Sequence, residues 1–171
     1  MNPLWTLRTG RMVMRPVSWG DLADLTAIKS DPRVYAVMLG GVRTPARVAE
    51  DLAADLALWG ARGVGMWTAR EADGGFLGIA GLHDRPDGRG LALRFAFWPE
   101  ARGRGLAREA AGAALRFAHD RAATERVIAV AREANVASRM VLGAIGMREC
   151  DAFVQGGHPM LVYESTAPGR P

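Results

Sequence analysis

The sequence holds one cysteine, Cys150, so no disulfide can close within the chain. A lone thiol suits a reducing compartment, and a cytoplasmic location is the expectation. Lysine is equally scarce. Of the 22 basic residues only Lys29 is not arginine, and the other 21 are scattered along the chain. They form no run and are not interleaved with aromatics. The net charge of +4 and the pI near 10.2 therefore do not describe a nucleic-acid face, and no nucleic-acid partner is expected. No apolar stretch approaches the ~20 residues a membrane helix needs, so no membrane partner is expected. The opening MNPLWTLRTGRM lacks the apolar core of a secretory signal. There is no internal repeat, no low-complexity tract and no linker. No metal site is expected. With 171 residues, 49% of them hydrophobic, the chain is expected to form one domain over 1–171, with a frayed polar tail from Ser165 to Pro171.

What is present centres on the stretch LALRFAFWPEARGRGLAREAAGAALRFAHD, Leu91 to Asp120. Leu91, Leu93, Phe95 and Phe97 alternate at period two, which predicts a strand that Pro99 ends. Leu106, Ala110, Ala113, Ala114 and Phe117 follow at the spacing of one helical face. Between them lies Arg102-Gly103-Arg104-Gly105. A basic, glycine-rich turn at a helix N-terminus is an anion site, because first-turn amides lack partners and the helix dipole is positive there. Arginine forks suit phosphate oxygens. The phosphate loop GxxxxGK[ST] does not occur. The dinucleotide fingerprint fails at its third position, which is Arg108.

The remaining elements follow from periodicity and turn residues. Leu7 to Val17 reads as a first strand. A short helix carries Leu22, Leu25 and Ile28 until Asp31-Pro32 stops it. Thr44-Pro45 begins a second helix with a stripe of Val48, Leu52, Leu56 and Trp59. Gly65 to Arg70 and Phe76 to His83 read as strands about the turn Asp73-Gly74-Gly75. With Leu91 to Trp98 they make an antiparallel meander. Arg126 to Ala131 is a buried strand, and Asn135 opens a helix through Ile145. Met147 to Val154 and Pro159 to Glu164 close the chain. The order is βααβββαβαββ.

Arg-x-x-Gly-x-Ala, from Arg102 to Ala107, resembles motif A of the GNAT superfamily of N-acetyltransferases. Asn135-x-x-Ser138 followed by Gly146-Met147 resembles a segment of the branch that contains the ribosomal-protein N-terminal (Rim-type) acetyltransferases. The element order also fits, so the resemblance spans about Leu7 to Tyr163. It implies the GNAT fold: an α/β domain with a mixed, mostly antiparallel sheet, splayed at its central strands, and helices on both faces. It implies acetyl-CoA as cosubstrate, with its pyrophosphate on Arg102, Gly103, Arg104, Gly105, Leu106 and Ala107. The pantetheine arm would lie along the backbone near Phe95 and Phe97 and against Asn135, with Ser138 near the thioester. The implied reaction is transfer of acetyl to a primary amine, whether a protein N-terminus, an amino acid or a small amine. A homodimer is common in this branch.

The chain departs from the family at two places. Leu142 stands where many relatives carry a Tyr that acts as acid, and Ala92 stands about where this branch carries a Glu. Ser138 is then the nearest proton donor. His83 is a candidate base, because histidine titrates near neutrality, but it is also a simple strand end. Asp84, acting through water, and His158, in the closing loop, are further candidates. The departures also support a rival expectation, a catalytically silent acyl-CoA-binding or regulatory domain. Tyr163 is read as core. Trp19 and Trp59 could wall a cleft or simply pack, and Cys150 lies beside no partner motif.

Overall fold

In a computed structural model, which describes residues 2–167, the strands form one eight-stranded sheet. Two short strands open it, β1 (Leu7–Arg8) and β2 (Val13–Pro16). They form a tight hairpin where the sequence pattern suggests one strand. The turn between them is held by the Thr9 N–H, which donates to the Met12 carbonyl at 3.0 Å, and by the Met12 N–H, which donates to Thr9 Oγ1 at 3.1 Å. Threonine and glycine at this point offer the backbone a local alternative to a continuous ladder.

Three helices follow: α1 (Leu22–Ser30), α2 (Pro32–Tyr35) and α3 (Pro45–Arg62). Asp31 does stop α1, yet its carboxylate also accepts from the Arg33 N–H at 2.8 Å and caps α2. The short α2 is thus an element that the reading of Asp31-Pro32 as a stop omits. Thr44 caps α3 through its side chain, with Pro45 at the first helical position.

The meander is β3 (Met66–Arg70), β4 (Phe76–Asp84) and β5 (Leu91–Phe97). Then come α4 (Leu106–Asp120), β6 (Arg126–Arg132), α5 (Val136–Ala144), β7 (Arg148–Gln155) and β8 (His158–Thr166). The order across the sheet is β1-β2-β3-β4-β5-β6-β8-β7. All neighbours are antiparallel except β5 and β6. Successive residues are buried along β4 and at both ends of β5, so helices cover both faces of the sheet's centre.

Strand β8 continues past the expected end at Glu164. Ser165 pairs with Val127 and Thr166 with Arg126, and the Ala167 N–H donates to the Glu125 carbonyl at 2.7 Å. The start of the expected tail is therefore part of the sheet, and residues 168–171 lie outside the described residues.

An aromatic cluster fastens the helices to the sheet. Trp59 of α3 meets Trp67 of β3 edge-on at 4.7 Å between centroids, and Trp67 meets Phe117 of α4 at 5.2 Å. The Trp59 indole N–H donates to the Met66 carbonyl at 2.9 Å. Trp59 is therefore core and walls no cleft, whereas Trp19 is 55% exposed.

Candidate active site

The organising turn has the conformation its glycines permit. Gly103 and Gly105 have φ of +73° and +74°, a region that costs a side-chain-bearing residue about 1–2 kcal/mol. Gly105 is the N-cap of the 15-residue α4 and supplies no side-chain cap. The first-turn amides, among them those of Leu106 and Ala107, are thus left for another acceptor. Leu106 itself is buried and anchors the turn to the core. Arg11, at the β1–β2 hairpin, holds the turn from outside. Its Nε donates to Glu109 Oε2 at 2.7 Å, and its guanidinium also donates to the Arg104 carbonyl. The two forks of the turn are engaged elsewhere. Arg102 donates to the Arg33 carbonyl at 2.9 Å, and Arg104 to Glu71 at 3.2 Å. The anion site of the turn therefore rests first on backbone amides.

The sheet opens beside this turn. β5 pairs with β4 along its whole length, from Leu91↔Asp84 to Phe97↔Gly78. Against β6 its one paired position is Ala92↔Ile128. Beyond Ala92 the two parallel strands diverge, and the β5 backbone facing β6 has no strand partner. A narrow hollow of about 60 Å³ fills the gap. Phe95, Asn135, Ser138, His83 and Leu142 all line it. Phe97 does not line it and its side chain lies in the core, and the contact expected at this position is with its backbone.

Asn135 caps α5: its Oδ1 accepts from the Ser138 N–H at 3.2 Å. Its Nδ2 and the Ser138 hydroxyl have no hydrogen-bond partner among the described residues. Both are thus available to a ligand with amides and a sulfur.

His83 lines both this hollow and a larger cleft of about 690 Å³ next to it. Its Nδ1 lies 3.2 Å from the Asp84 carbonyl, which can only accept, so Nδ1 carries the hydrogen and Nε2 keeps its lone pair. Desolvation, then the Arg94 guanidinium, push its pKa down to about 3. The imidazole is therefore neutral at physiological pH. Asp84 is exposed and pairs with Arg62 at 3.1 Å. His158 is exposed at the start of β8 and lines neither space. Cys150 is exposed, and Tyr163 is buried, its hydroxyl donating to the exposed Glu149 at 3.3 Å.

In the cleft wall and behind it lies a group of charges that the sequence reading omits. Lys29, 2% exposed, donates to Asp51 at 3.3 Å. Desolvation lowers the Lys29 pKa against the pull of Asp55 and Asp51. Arg43 lies 3.6 Å and Arg47 3.1 Å from the Asp51 carboxylate. One turn on, Asp55 is 8% exposed, and desolvation pushes its pKa up to about 6 despite Lys29 and Arg94. Two signals could have marked this group. Asp55 falls on the apolar stripe of Val48, Leu52 and Trp59 at helical spacing. Arg94 stands between Ala92 and Ala96 on the second face of a central strand. Among the described residues no three His, Cys, Asp or Glu side chains are grouped to hold a metal.

The sequence matches the family described as acetyltransferase (GNAT) domain over residues 11–148. Among solved structures, the acetyltransferase from Agrobacterium tumefaciens strain C58 is 25% identical with a TM-score of 0.82, the match covering 94% of this chain and 93% of that one. RimL, a ribosomal L7/L12 alpha-N-protein acetyltransferase solved with coenzyme A, is 13% identical with a TM-score of 0.76, covering 95% and 98%. A spermidine N-acetyltransferase chimera from Vibrio cholerae and hSSAT is 15% identical with a TM-score of 0.71, covering 91% and 95%. At these last two identities the likeness is one of fold. No curated protein matches the sequence.

Proposed function

The chain belongs to the GNAT acetyltransferase family, and from that premise we propose that it moves the acetyl group of acetyl-CoA directly to the nitrogen of a primary amine. The family uses acetyl-CoA, and this chain's residues fit it. The observation that carries the reading is the divergence of β5 from β6 after Ala92↔Ile128, ending at an uncapped helix N-terminus. One end presents strand backbone and the other presents free amides, which are the partners an amide-bearing arm and a pyrophosphate require.

Gly103, Arg104, Gly105, Leu106 and Ala107 would hold the pyrophosphate through backbone N–H groups. Arg102 and Arg104 would add charge by leaving their present acceptors. The β5 backbone around Phe95 and Phe97 would pair with the arm, and the Asn135 side-chain amide would donate to it. Acetyl-CoA supplies the acyl group as a thioester, whose C–S bond breaks as the N–C bond forms. Ser138 would donate its hydroxyl proton toward the departing sulfur, the role that buried Leu142 cannot take. The amine loses one proton to water before attack and a second after it, and the second replaces, through water, the proton that Ser138 gives to sulfur. His83 Nε2 can accept a hydrogen bond from the amine or a water at the mouth of the hollow. With a pKa near 3 it orients that group and does not hold the proton. Because two family side chains are missing, a silent acyl-CoA-binding domain is the rival reading. Thiol release from acetyl-CoA over a panel of amines separates the two: turnover with any amine supports transfer, and binding without turnover on all of them supports the silent domain.

A further inference from the structure

In the wall of the larger cleft and just behind it the charged groups pair off, with two exceptions. Lys29, Arg43 and Arg47 all meet Asp51. Arg62 meets Asp84, and Arg85 meets Asp87. Asp55 and Arg94 make no hydrogen bond or ion pair with any described residue, and they are too far apart to pair with each other. An unpaired, desolvated charge is costly to a fold. Asp55 is such a charge, and Arg94, half-buried, is an unpaired charge of opposite sign on the facing element of the same cleft. Arg94 also lines the hollow beside β6, so its guanidinium stands where that hollow meets the cleft. Cross-strand register puts it on the same face as His83, since Gly81↔Arg94 and His83↔Ala92 are directly opposed.

We propose that Arg94 and Asp55 together recognise a zwitterion, and that the acceptor is a free α-amino acid. This rests on the transfer reading above. A carboxylate on Arg94 sits where the hollow meets the cleft, and an amine on the same carbon then stands at the mouth of the hollow. The incoming ammonium makes the direct ion pair that Asp55 does not make with Lys29, and its nitrogen then passes from the cleft into the hollow. A zwitterion satisfies both groups and adds no net charge to the cleft. A simple amine leaves Arg94 bare, and so does a peptide N-terminus, whose neighbouring carbonyl is an uncharged amide. Asp55 and Arg94 line one cleft of about 690 Å³, which admits a small molecule between them.

The test measures thiol release from acetyl-CoA with each of the common α-amino acids, its carboxamide and its decarboxylated amine. Acetyl-CoA binding is followed separately by calorimetry. A charge-assisted bidentate contact predicts that the preferred amino acid exceeds its amide in kcat/KM by roughly 10- to 100-fold. Arg94→Gln should bring that ratio near one, mainly through KM for the acid, without lowering the melting temperature. Arg94→Lys should keep part of the preference. Equal rates for acid, amide and amine, or an Arg94→Gln loss equal for all three, overturns the inference and leaves the transfer reading standing. Acetyl-CoA binding with no amine acetylated overturns both. Loss of the preference together with a large drop in melting temperature in both Arg94 variants assigns Arg94 a structural role and also overturns the inference.

Discussion

The hydroxyl of Ser138 and the carboxylate of Asp55 are two groups whose surroundings leave them unfinished. Asn135 caps α5 through the Ser138 backbone N–H, so Ser138→Ala keeps the cap. Its melting temperature should match wild type. If the hydroxyl donates to the leaving sulfur, kcat and kcat/KM should fall together by roughly 10²-fold, the low end for acid help because a thiolate leaves readily. Steady-state kinetics on a good amine decides this, and an unchanged kcat leaves proton transfer to water. Asp55 makes a different prediction. Its folded pKa, about 6, lies above the ordinary 3.8, so the cost of its charge is in full above pH 6 and disappears as pH falls toward 3.8. His83 has the opposite sign. Its folded pKa, about 3, lies below 6.5, so stability is lost as pH falls through 6.5. Between about pH 4 and 6 the two slopes oppose. Asp55→Asn removes one of them. The variant should be more stable than wild type at pH 7, by at most about 3 kcal/mol, and lose that margin by roughly 1.4 kcal/mol per pH unit on acidification. Urea unfolding at pH 7, 5.5 and 4.5 measures it, and parallel curves would mean that Asp55 is solvated.

At the scale of elements, the strand–turn–helix from Leu91 to Asp120 predicts that affinity for the cofactor resides at its phosphate end. CoA should bind far more tightly than dephosphorylated pantetheine in a calorimetric titration, and equal affinities would exclude the turn. Gly105→Ala would place its Cβ in ordinary contact with Arg11, at 3.6 Å, but must hold φ of +74°, so it strains the turn without adding charge. Gly105→Asp adds a carboxylate where the anion approaches and should abolish binding, while the alanine variant only weakens it. This element was legible in the sequence because period two, Pro99, the glycines and period 3.6 all agree over thirty residues. The α5 start was legible for the same reason, with Asn135 as cap. The β1–β2 hairpin was not, since Arg11 to Arg15 alternates as well as any strand while the turn at Thr9 depends on its side chain. Asp55 and Arg94 each stood out within their own element, but the Lys29–Asp51–Asp55–Arg94 group as a group was not legible. Its members come from α1, α3 and β5, and only the packing of those elements brings them to one wall. The divergence of β5 from β6 leaves no mark in either strand's own residues, and here it was expected from the family resemblance alone.

The whole molecule is a sheet with a seam. β1 to β5 form one continuous antiparallel ladder, and β6, β8 and β7 form another. Between the two ladders the one paired position among the described residues is Ala92↔Ile128, and α4 is the connection that crosses from one ladder to the other. Backbone groups along the seam that find no strand partner must rely on water or on a ligand. A ligand that pairs with β5 and also touches Asn135 and Ser138 would join the two ladders and add bonds that neither makes alone. Ligand binding to the folded state at 100 times its Kd contributes about 2.7 kcal/mol, which for a domain of this length is a rise in melting temperature of about 5–10 °C. CoA should produce that rise, and Gly105→Asp should remove it. The added protection should also be local. Amide exchange ought to slow most in β5 beyond Ala92 and at the start of α5, and least in β2 and β3, which the seam does not reach. A melting shift of the expected size with protection spread evenly over all eight strands would mean that the cofactor stabilises the molecule without bridging the seam, and the pairing assigned to β5 would then be wrong.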